Sequence, residues 1–331
     1  MADVTTTAGK RFSAHEGESI LEAALRHGVA LAYSCQSGRC STCKAQLRGG
    51  STTVLHEESG LSPAERAEGW VLTCVRTANT DVVIDVEDLG DVRIFPPRTL
   101  PCRVHALEHL SADVVKAVLR LPPNAEFGYH PGQYIDVLGH GGLRRSYSIA
   151  NAPAASKQLE LHIRRIPGGA MSEYWFGQVK ANDLLRLRGP LGTFFLRDLA
   201  DQDLVFLATG TGIAPVKAML EGLASSVRER RPLSIKVCWG GRLPEDLYWD
   251  SRGIDLEHEF VPVLSRADEA WQGARGHVQE TLLSLRPDLR RTVVYACGSD
   301  LMVRDARRQL VDAGLSERRF RSDAFLPSGP L

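Results

Sequence analysis

The chain has 331 residues, and 40 Lys and Arg balance 40 Asp and Glu to give zero formal net charge. That length accommodates two or three domains, each with its own core. The even balance argues against a general grip on nucleic acid, and no apolar run approaches the roughly 20 residues of a membrane span. The N-terminal Met1–Thr7 lacks the basic and apolar regions of a secretory signal. A cytoplasmic setting with reduced thiols is therefore expected.

Residues 1–90 read as a first module. Ser19 and Glu22 form a capping box, and the helix they start carries Ile20, Leu21, Ala24 and Leu25 on one face and stops near Gly28. Directly after it come Cys35, Cys40 and Cys43, in the spacing C-x4-C-x2-C, and, after a gap of thirty residues, Cys74. A structural zinc site usually shows paired knuckles or a Cys/His mixture, which this is not. A disulfide framework fits poorly with seven cysteines, an odd number. The spacing is that by which plant-type ferredoxins hold a [2Fe–2S] cluster, and such a cluster moves one electron at a time. Small residues between the thiols allow backbone N–H groups to turn toward the sulfurs, and Gly38, Gly49 and Gly50 supply freedom for a tight loop. Strand-like runs at 44–48 and 81–86 complete a small mixed sheet. The segment resembles a plant-type ferredoxin from end to end, which implies a β-grasp ferredoxin-like domain with Cys35, Cys40, Cys43 and Cys74 as metal ligands. Arg39 beside Cys40 is a candidate for docking an acceptor, with a plain solvated Arg as the alternative.

Residues 91–101 read as a linker, because three prolines within 96–101 bar a helix and stiffen the chain. From 102 to 200 the text turns to short β-type runs at 114–119, 134–138, 145–150, 159–165 and 184–188, the pattern of a small antiparallel barrel. Arg145, Tyr147 and Ser148 offer a cation for a phosphate, a ring to lie against a ring, and a hydroxyl for a ring nitrogen. His130–Tyr134 precedes them, Leu161–Arg164 and the Gly-rich Pro167–Ser172 follow, and Gly189–Phe194 closes the run. In this order the segments resemble the ferredoxin–NADP reductase superfamily. The resemblance implies that Arg145, Tyr147 and Ser148 hold a flavin, with Ser148 near its N5 region and Tyr147 along the ring. It also implies that Arg164 sits on the flavin's phosphate side and that Gly169, Ala170, Met171 and Ser172 cradle a pyrophosphate. FAD is implied over FMN by that turn and by the N-terminal place of the ferredoxin module.

Residues 201–331 alternate apolar strands at 204–208, 235–239, 260–264 and 293–297 with helices at 213–223, 277–285 and 299–313. That alternation predicts an open parallel α/β sheet. The fold class is thus α+β and α/β multidomain. Thr209, Gly210, Thr211, Gly212 and Pro215 follow the first of these strands and open a helix, where free N–H groups favour an anion. They match the superfamily's nucleotide loop rather than the ordinary dehydrogenase fingerprint. By the same resemblance Cys297 and Gly298 line the nicotinamide site, Phe325 shields the flavin face, and Asp323 assists hydride or proton handling. Cys297, read from the residues alone, is a small apolar side chain on a strand. Arg242, with two acids behind it, and Arg266 are the candidates for the ribose side, and the acids tilt the expectation toward NADH over NADPH. Cys102 and Cys238 read as buried small residues.

Together the modules imply an oxidoreductase that passes electrons from NAD(P)H through FAD and the cluster to a partner protein. Ser41, the stretch Gly189–Leu196 and the stretch 322–328 resemble the CDP-6-deoxy-Δ3,4-glucoseen reductases, whose partner is a deoxysugar dehydratase. The alternatives are the reductase of a ring-hydroxylating dioxygenase or di-iron monooxygenase, and a stand-alone flavin reductase whose ferredoxin part only docks.

Overall fold

The computed structural model describes residues 1–87, 89–90, 92–197, 199–226 and 231–326, and its contacts divide them into two units. The first comprises Met1–Phe95 with Gly192–Phe194, the second Pro96–Leu191 with the rest of the chain from Phe195.

In the first unit the elements run β1 (Ala2–Thr6), β2 (Arg11–Ala14), α1 (Ile20–Arg26), β3 (Lys44–Gly49), β4 (Thr52–Val54), α2 (Pro63–Ala67), β5 (Trp70–Leu72), β6 (Arg76–Ala78) and β7 (Val82–Asp85). Five strands form a mixed sheet in the order β2-β1-β7-β3-β5, parallel only between β1 and β7, and β4 pairs with β6. The Ser19 hydroxyl accepts the Glu22 N–H at 3.1 Å, and Glu22 accepts the Ser19 N–H at 3.0 Å. A helix as short as α1 does not stand alone in water. It stands here because Ile20, Leu21, Ala23 and Ala24 are buried, each large side chain contributing roughly 1.5–3 kcal/mol. Gly192–Phe194 joins this unit through Thr193, whose N–H donates to the Tyr33 carbonyl at 3.0 Å while the Tyr33 N–H donates to its hydroxyl at 2.8 Å.

In the second unit β8 (Arg98–His109), β9 (Val114–Arg120), β10 (Tyr134–Leu138), β11 (Arg144–Ser148), β12 (Gln158–Arg164) and β13 (Leu184–Leu191) form one antiparallel sheet, with α3 (Ala170–Glu173) between the last two. Its order is β11-β10-β13-β8-β9-β12, and an Ile149–Leu161 bridge brings the two ends together, so the barrel nearly closes. Strand β8 begins inside the stretch expected to be a linker. Pro101 is tolerated there because β8 at that point pairs with β13 alone, leaving one side that needs no donor.

The rest of the unit runs β14 (Asp203–Thr209), α4 (Ile213–Ala224), β15 (Ser234–Gly241), β16 (Glu259–Leu264), β17 (Ala274–Arg275), α5 (Val278–Ser284), β18 (Thr292–Ser299), α6 (Asp300–Asp312) and β19 (Phe320–Phe325). All strand pairs are parallel, in the order β17-β16-β15-β14-β18-β19. The chain leaves β14 toward β15 on one side and later returns to its other side as β18. The crevice at the carboxyl ends of β14 and β18 is therefore the switch point where open α/β sheets bind ligands.

Candidate functional site

The loop between α1 and β3 brings the thiols together in two pairs. Cys43 and Cys74 stand 3.2 Å apart, sulfur to sulfur, and the Cys35 N–H points at the Cys40 sulfur at 3.5 Å. The Ser37 N–H donates to the Cys35 sulfur at 3.4 Å. Within each pair one thiol is held down and the other pushed up by the hydrogen bond they share. Cys35 is pulled down to about 5 by Cys40, and Cys74 is lowered by Cys43. Cys40 and Cys43 are raised, first by that bond and then by burial. Among the described residues no three His, Cys, Asp or Glu side chains converge as a single-ion site. Two close pairs of thiols fit a binuclear cluster, which Cys35, Cys40, Cys43 and Cys74 would hold, rather than a lone zinc. The buried Thr42 hydroxyl lies in the same loop and by hydrogen bonding partly offsets the rise at Cys40, the kind of donor a cluster's sulfurs accept.

The loop conformation is costly and braced. Gln36 and Ser41 have φ of 55° and 59°, and Gly38 has 72°. A Cβ on Gly38 would lie 2.3 Å from the Glu57 carbonyl oxygen, so this position requires glycine. Glu58, with a side chain 3% exposed, pairs with Arg76 at 2.8 Å and accepts the Leu72 N–H at 2.7 Å. That ion pair, with the Leu72 hydrogen bond, fixes 57–60 against the segment on both sides of Cys74. Nothing in the sequence signals it, since an acid and a base eighteen residues apart form no motif.

On the barrel, Arg145 and Tyr147 lie opposite Val137 and Ile135 in the β10–β11 ladder, and Ser148 lies opposite Tyr134. Alternation therefore puts Arg145 and Tyr147 on one face of β11 and Ser148 on the other. The Tyr147 hydroxyl accepts the Trp175 indole N–H at 3.2 Å, and burial pushes it up to about 12, so it stays protonated at neutral pH. The Arg145 guanidinium donates to the Arg144 carbonyl at 2.7 Å. Asp136, buried on β10, braces the strand by accepting from Arg144 at 2.8 Å and Ser146 at 2.7 Å, another support with no sequence signature. Gly169 caps α3, which has only four residues. The Ser172 hydroxyl accepts the Ile166 N–H at 2.9 Å. Ala170 and Met171, with Gly139, Leu143, Tyr174 and Leu185, line a cavity of about 370 Å³. A half-buried guanidinium and an aromatic on one strand face fit a flavin phosphate and ring. Arg164 has a different setting: it pairs with Asp113 and Asp246, at 2.8 and 2.7 Å.

At the switch point Thr209, Gly210, Gly212, Cys297 and Gly298 come together. A Cβ on Gly212 would lie 2.2 Å from the Cys297 carbonyl oxygen, and one on Gly298 would lie 2.3 Å from the Thr209 hydroxyl. The Ser299 N–H donates to that hydroxyl at 3.1 Å, and the Trp239 indole donates to the Gly210 carbonyl at 3.0 Å. No side chain caps α4; in its first turn the Ile213 N–H donates to the Gly210 carbonyl and Pro215 has no N–H, while the helix start itself favours an anion. Pro215 is buried in that helix. Cys297 is fully buried, and burial together with the Asp323 carboxylate pushes its thiol well up, which leaves it neutral. Asp323, buried on β19, stands opposite Cys297, and Phe325 opposite Ser299. Arg242 is exposed at the end of β15. Asp246 accepts its N–H at 2.7 Å and that of Leu243 at 3.2 Å while pairing with Arg164, so this acid is committed within the protein. Residues 327 and 328, part of the stretch read as resembling the deoxysugar group, lie outside the described residues.

Family models match three segments: a 2Fe-2S iron-sulfur cluster binding domain at residues 5–79, an oxidoreductase FAD-binding domain at 101–196 and an oxidoreductase NAD-binding domain at 206–308. The chain is 39% identical over 321 residues to the CDP-6-deoxy-L-threo-D-glycero-4-hexulose-3-dehydrase reductase of Yersinia pestis, covering 96% of each chain. The chain belongs to the iron–sulfur flavoprotein reductases. It is also similar to the xylene/toluene monooxygenase electron transfer component of Pseudomonas putida, at 31% identity over 97% of this chain and 93% of that one. The crystal structure of an Amycolatopsis cytochrome P450 reductase matches with a TM-score of 0.76, 30% identity and 99% coverage of both chains. This reductase is thus an oxidoreductase built to draw electrons from NAD(P)H, with FAD and a [2Fe–2S] cluster as its cofactors. The first family segment contains all four paired cysteines, the second Arg145–Ser172, and the third both loops of the crevice. Among the described residues no helix is long and apolar enough to cross a membrane.

Proposed function

We propose that this reductase supplies single electrons to a deoxysugar 3-dehydratase acting on a CDP-linked hexulose. The observation that carries the reading is the higher identity to a dehydrase reductase, 39% over 96% of this chain, than to an oxygenase electron transfer component, 31% over 97% of it. Ser41, which ties the cluster loop by donating to the Gly60 carbonyl, is in keeping with it. When bound, the flavin accepts a hydride as two electrons and releases them singly, and the cluster carries single electrons onward. The protein's own groups orient and shield. Arg145 and Tyr147 hold the flavin from one face of β11, with Ser148 toward N5 and Gly169–Ser172 at the pyrophosphate. The uncapped start of α4, with Thr209–Gly212, takes the dinucleotide phosphates, and Arg242 its ribose side. Cys297 packs as a neutral thiol beside the nicotinamide, Asp323 steadies it, and Phe325 covers the flavin face. NADH is the expected donor, although Asp246 no longer argues for it, because its oxygens are used by Arg164 and by backbone N–H groups. A cytoplasmic setting, where thiols stay reduced and available for iron, belongs to this reading.

The test is anaerobic reconstitution with a purified CDP-hexulose dehydratase and, separately, with an oxygenase component, following NADH consumption in each. Reduction of the dehydratase system alone is expected. Turnover only with the oxygenase would overturn this assignment and leave the reductase chemistry intact.

A further inference from the structure

Strand β12 reads Gln158-Leu-Glu-Leu-His-Ile-Arg164, a strict alternation. Leu159, Leu161 and Ile163 fill the barrel core, each at most 1% exposed. The opposite face, carrying Glu160, His162 and Arg164, would ordinarily face water. Instead each of the three meets a residue of the parallel-sheet half. Glu160 pairs with Lys217 of α4 at 3.2 Å, His162 Nδ1 meets the Tyr248 hydroxyl at 3.2 Å, and Arg164 pairs with Asp246 at 2.7 Å. Within the stripe His162 Nε2 and Glu160 are 2.8 Å apart. Lys217 extends the junction to the Ala150 carbonyl at 3.0 Å and to Glu221 at 2.7 Å, and Glu221 accepts the Ala152 N–H at 2.9 Å.

Both ends of this junction lead to Gly210. The Arg164 guanidinium nitrogen occupies the space beside it, 2.8 Å from where a Cβ would stand. Tyr248 packs edge-on against Trp239, with centroids 5.2 Å apart, and Trp239 is the residue whose indole holds the Gly210 carbonyl. The His162 ring is satisfied as a neutral imidazole: Nε2–H donates to Glu160 and Nδ1 accepts from Tyr248. Burial lowers His162 and raises Tyr248, which keeps both neutral, and the groups that face the ring are Glu160, Tyr248, Lys217 and Lys116.

We propose that the polar stripe of β12 is a positioning element that clamps the Thr209–Gly212 loop to the flavin barrel and thereby sets how a bound nucleotide presents its hydride. The proposal rests on the reading that NAD(P)H reduces a flavin held by this unit. His162, Arg164 and Tyr248 act through the loop and are positioning residues. Arg164 on this view serves the junction rather than the flavin phosphate.

The test uses the holoenzyme with FAD and cluster in place, in Arg164→Met, Arg164→Lys, Tyr248→Phe and the Arg164→Met/Tyr248→Phe double variant. Anaerobic stopped-flow follows flavin bleaching across NADH concentrations, and FAD content is measured in each. Expected are a limiting rate lowered about ten-fold in Arg164→Met and about three-fold in Tyr248→Phe, with half-saturation by NADH and FAD content unchanged. Arg164→Lys recovers most of the rate, and the double variant is less than the product of the singles, because both routes end at Gly210. Tyr248→Phe removes one oxygen from a packed ring and serves if Arg164→Met does not fold. Loss of FAD from Arg164→Met, or unchanged limiting rates throughout, would overturn the proposal. Wild-type flavin that NADH does not bleach would overturn the hydride reading itself, and the proposal with it.

Discussion

The cluster loop and the nucleotide crevice solve opposite problems. In the loop the chemistry belongs to four side chains, and the backbone bends into left-handed conformations at Gln36, Gly38 and Ser41 to bring them into pairs. On the proposed reading the chemistry of the crevice belongs to backbone N–H groups, and glycines there let two loops meet. Damage should therefore differ in kind. Removing one side chain should destroy the first site, whereas adding a single methyl group should be enough to spoil the second.

The largest effect is expected from Cys74→Ser. Iron–sulfur absorbance should disappear and acceptor reduction fall at least about 100-fold, while NADH still bleaches the flavin at the wild-type rate. Loss of flavin reduction as well would erase the contrast between the two regions. Next comes Glu58→Gln, which leaves Arg76 without its buried partner. It should cost about 3 kcal/mol in urea melts followed by iron–sulfur absorbance, and leave flavin reduction by NADH alone. A matched pair of glycine changes sharpens the comparison further. Gly38→Ala meets the Glu57 carbonyl and should lower cluster content several-fold, whereas Gly212→Ala meets the Cys297 carbonyl and should slow flavin bleaching about ten-fold. Each should leave the other's readout untouched.

The smallest effect concerns Glu18, whose hydrogen bonds to Arg26 lower its carboxyl from 4.5 to about 2. Because the folded value lies below the unfolded one, the pair stabilises above pH 4.5 and its contribution is lost as pH falls from there toward 2. With Arg26 39% exposed, Glu18→Gln should cost no more than about 1 kcal/mol at pH 7 and nothing near pH 2, by urea melts at the two pH values.

The same difference decides what could be read from the chain. Three of the four paired cysteines fall within nine residues, so their spacing alone carried the metal site. Strands β14, β15, β16 and β18 and helices α4–α6 were legible because apolar runs and helical periods are local, whereas β17 and β19 were not read. Strands β1, β2, β5 and β6 were not, being only three to five residues long, too short for a clear alternation. The flavin and nucleotide loops became legible only through resemblance, since glycines and a Ser or Tyr have many other uses. Arg164 shows the limit most clearly. The resemblance put it on the flavin's phosphate side, whereas it pairs with Asp113 and Asp246, fifty-one residues before it and eighty-two after it.

The most direct test is an anaerobic titration of the purified holoprotein with NADH, recorded in the visible range and by electron paramagnetic resonance. Flavin bleaching followed by a reduced-cluster signal, with the cluster signal missing in Cys74→Ser, is the predicted result. Flavin bleaching with no cluster signal in the wild-type protein would contradict the electron route and reduce the molecule to a flavin reductase with a docking module.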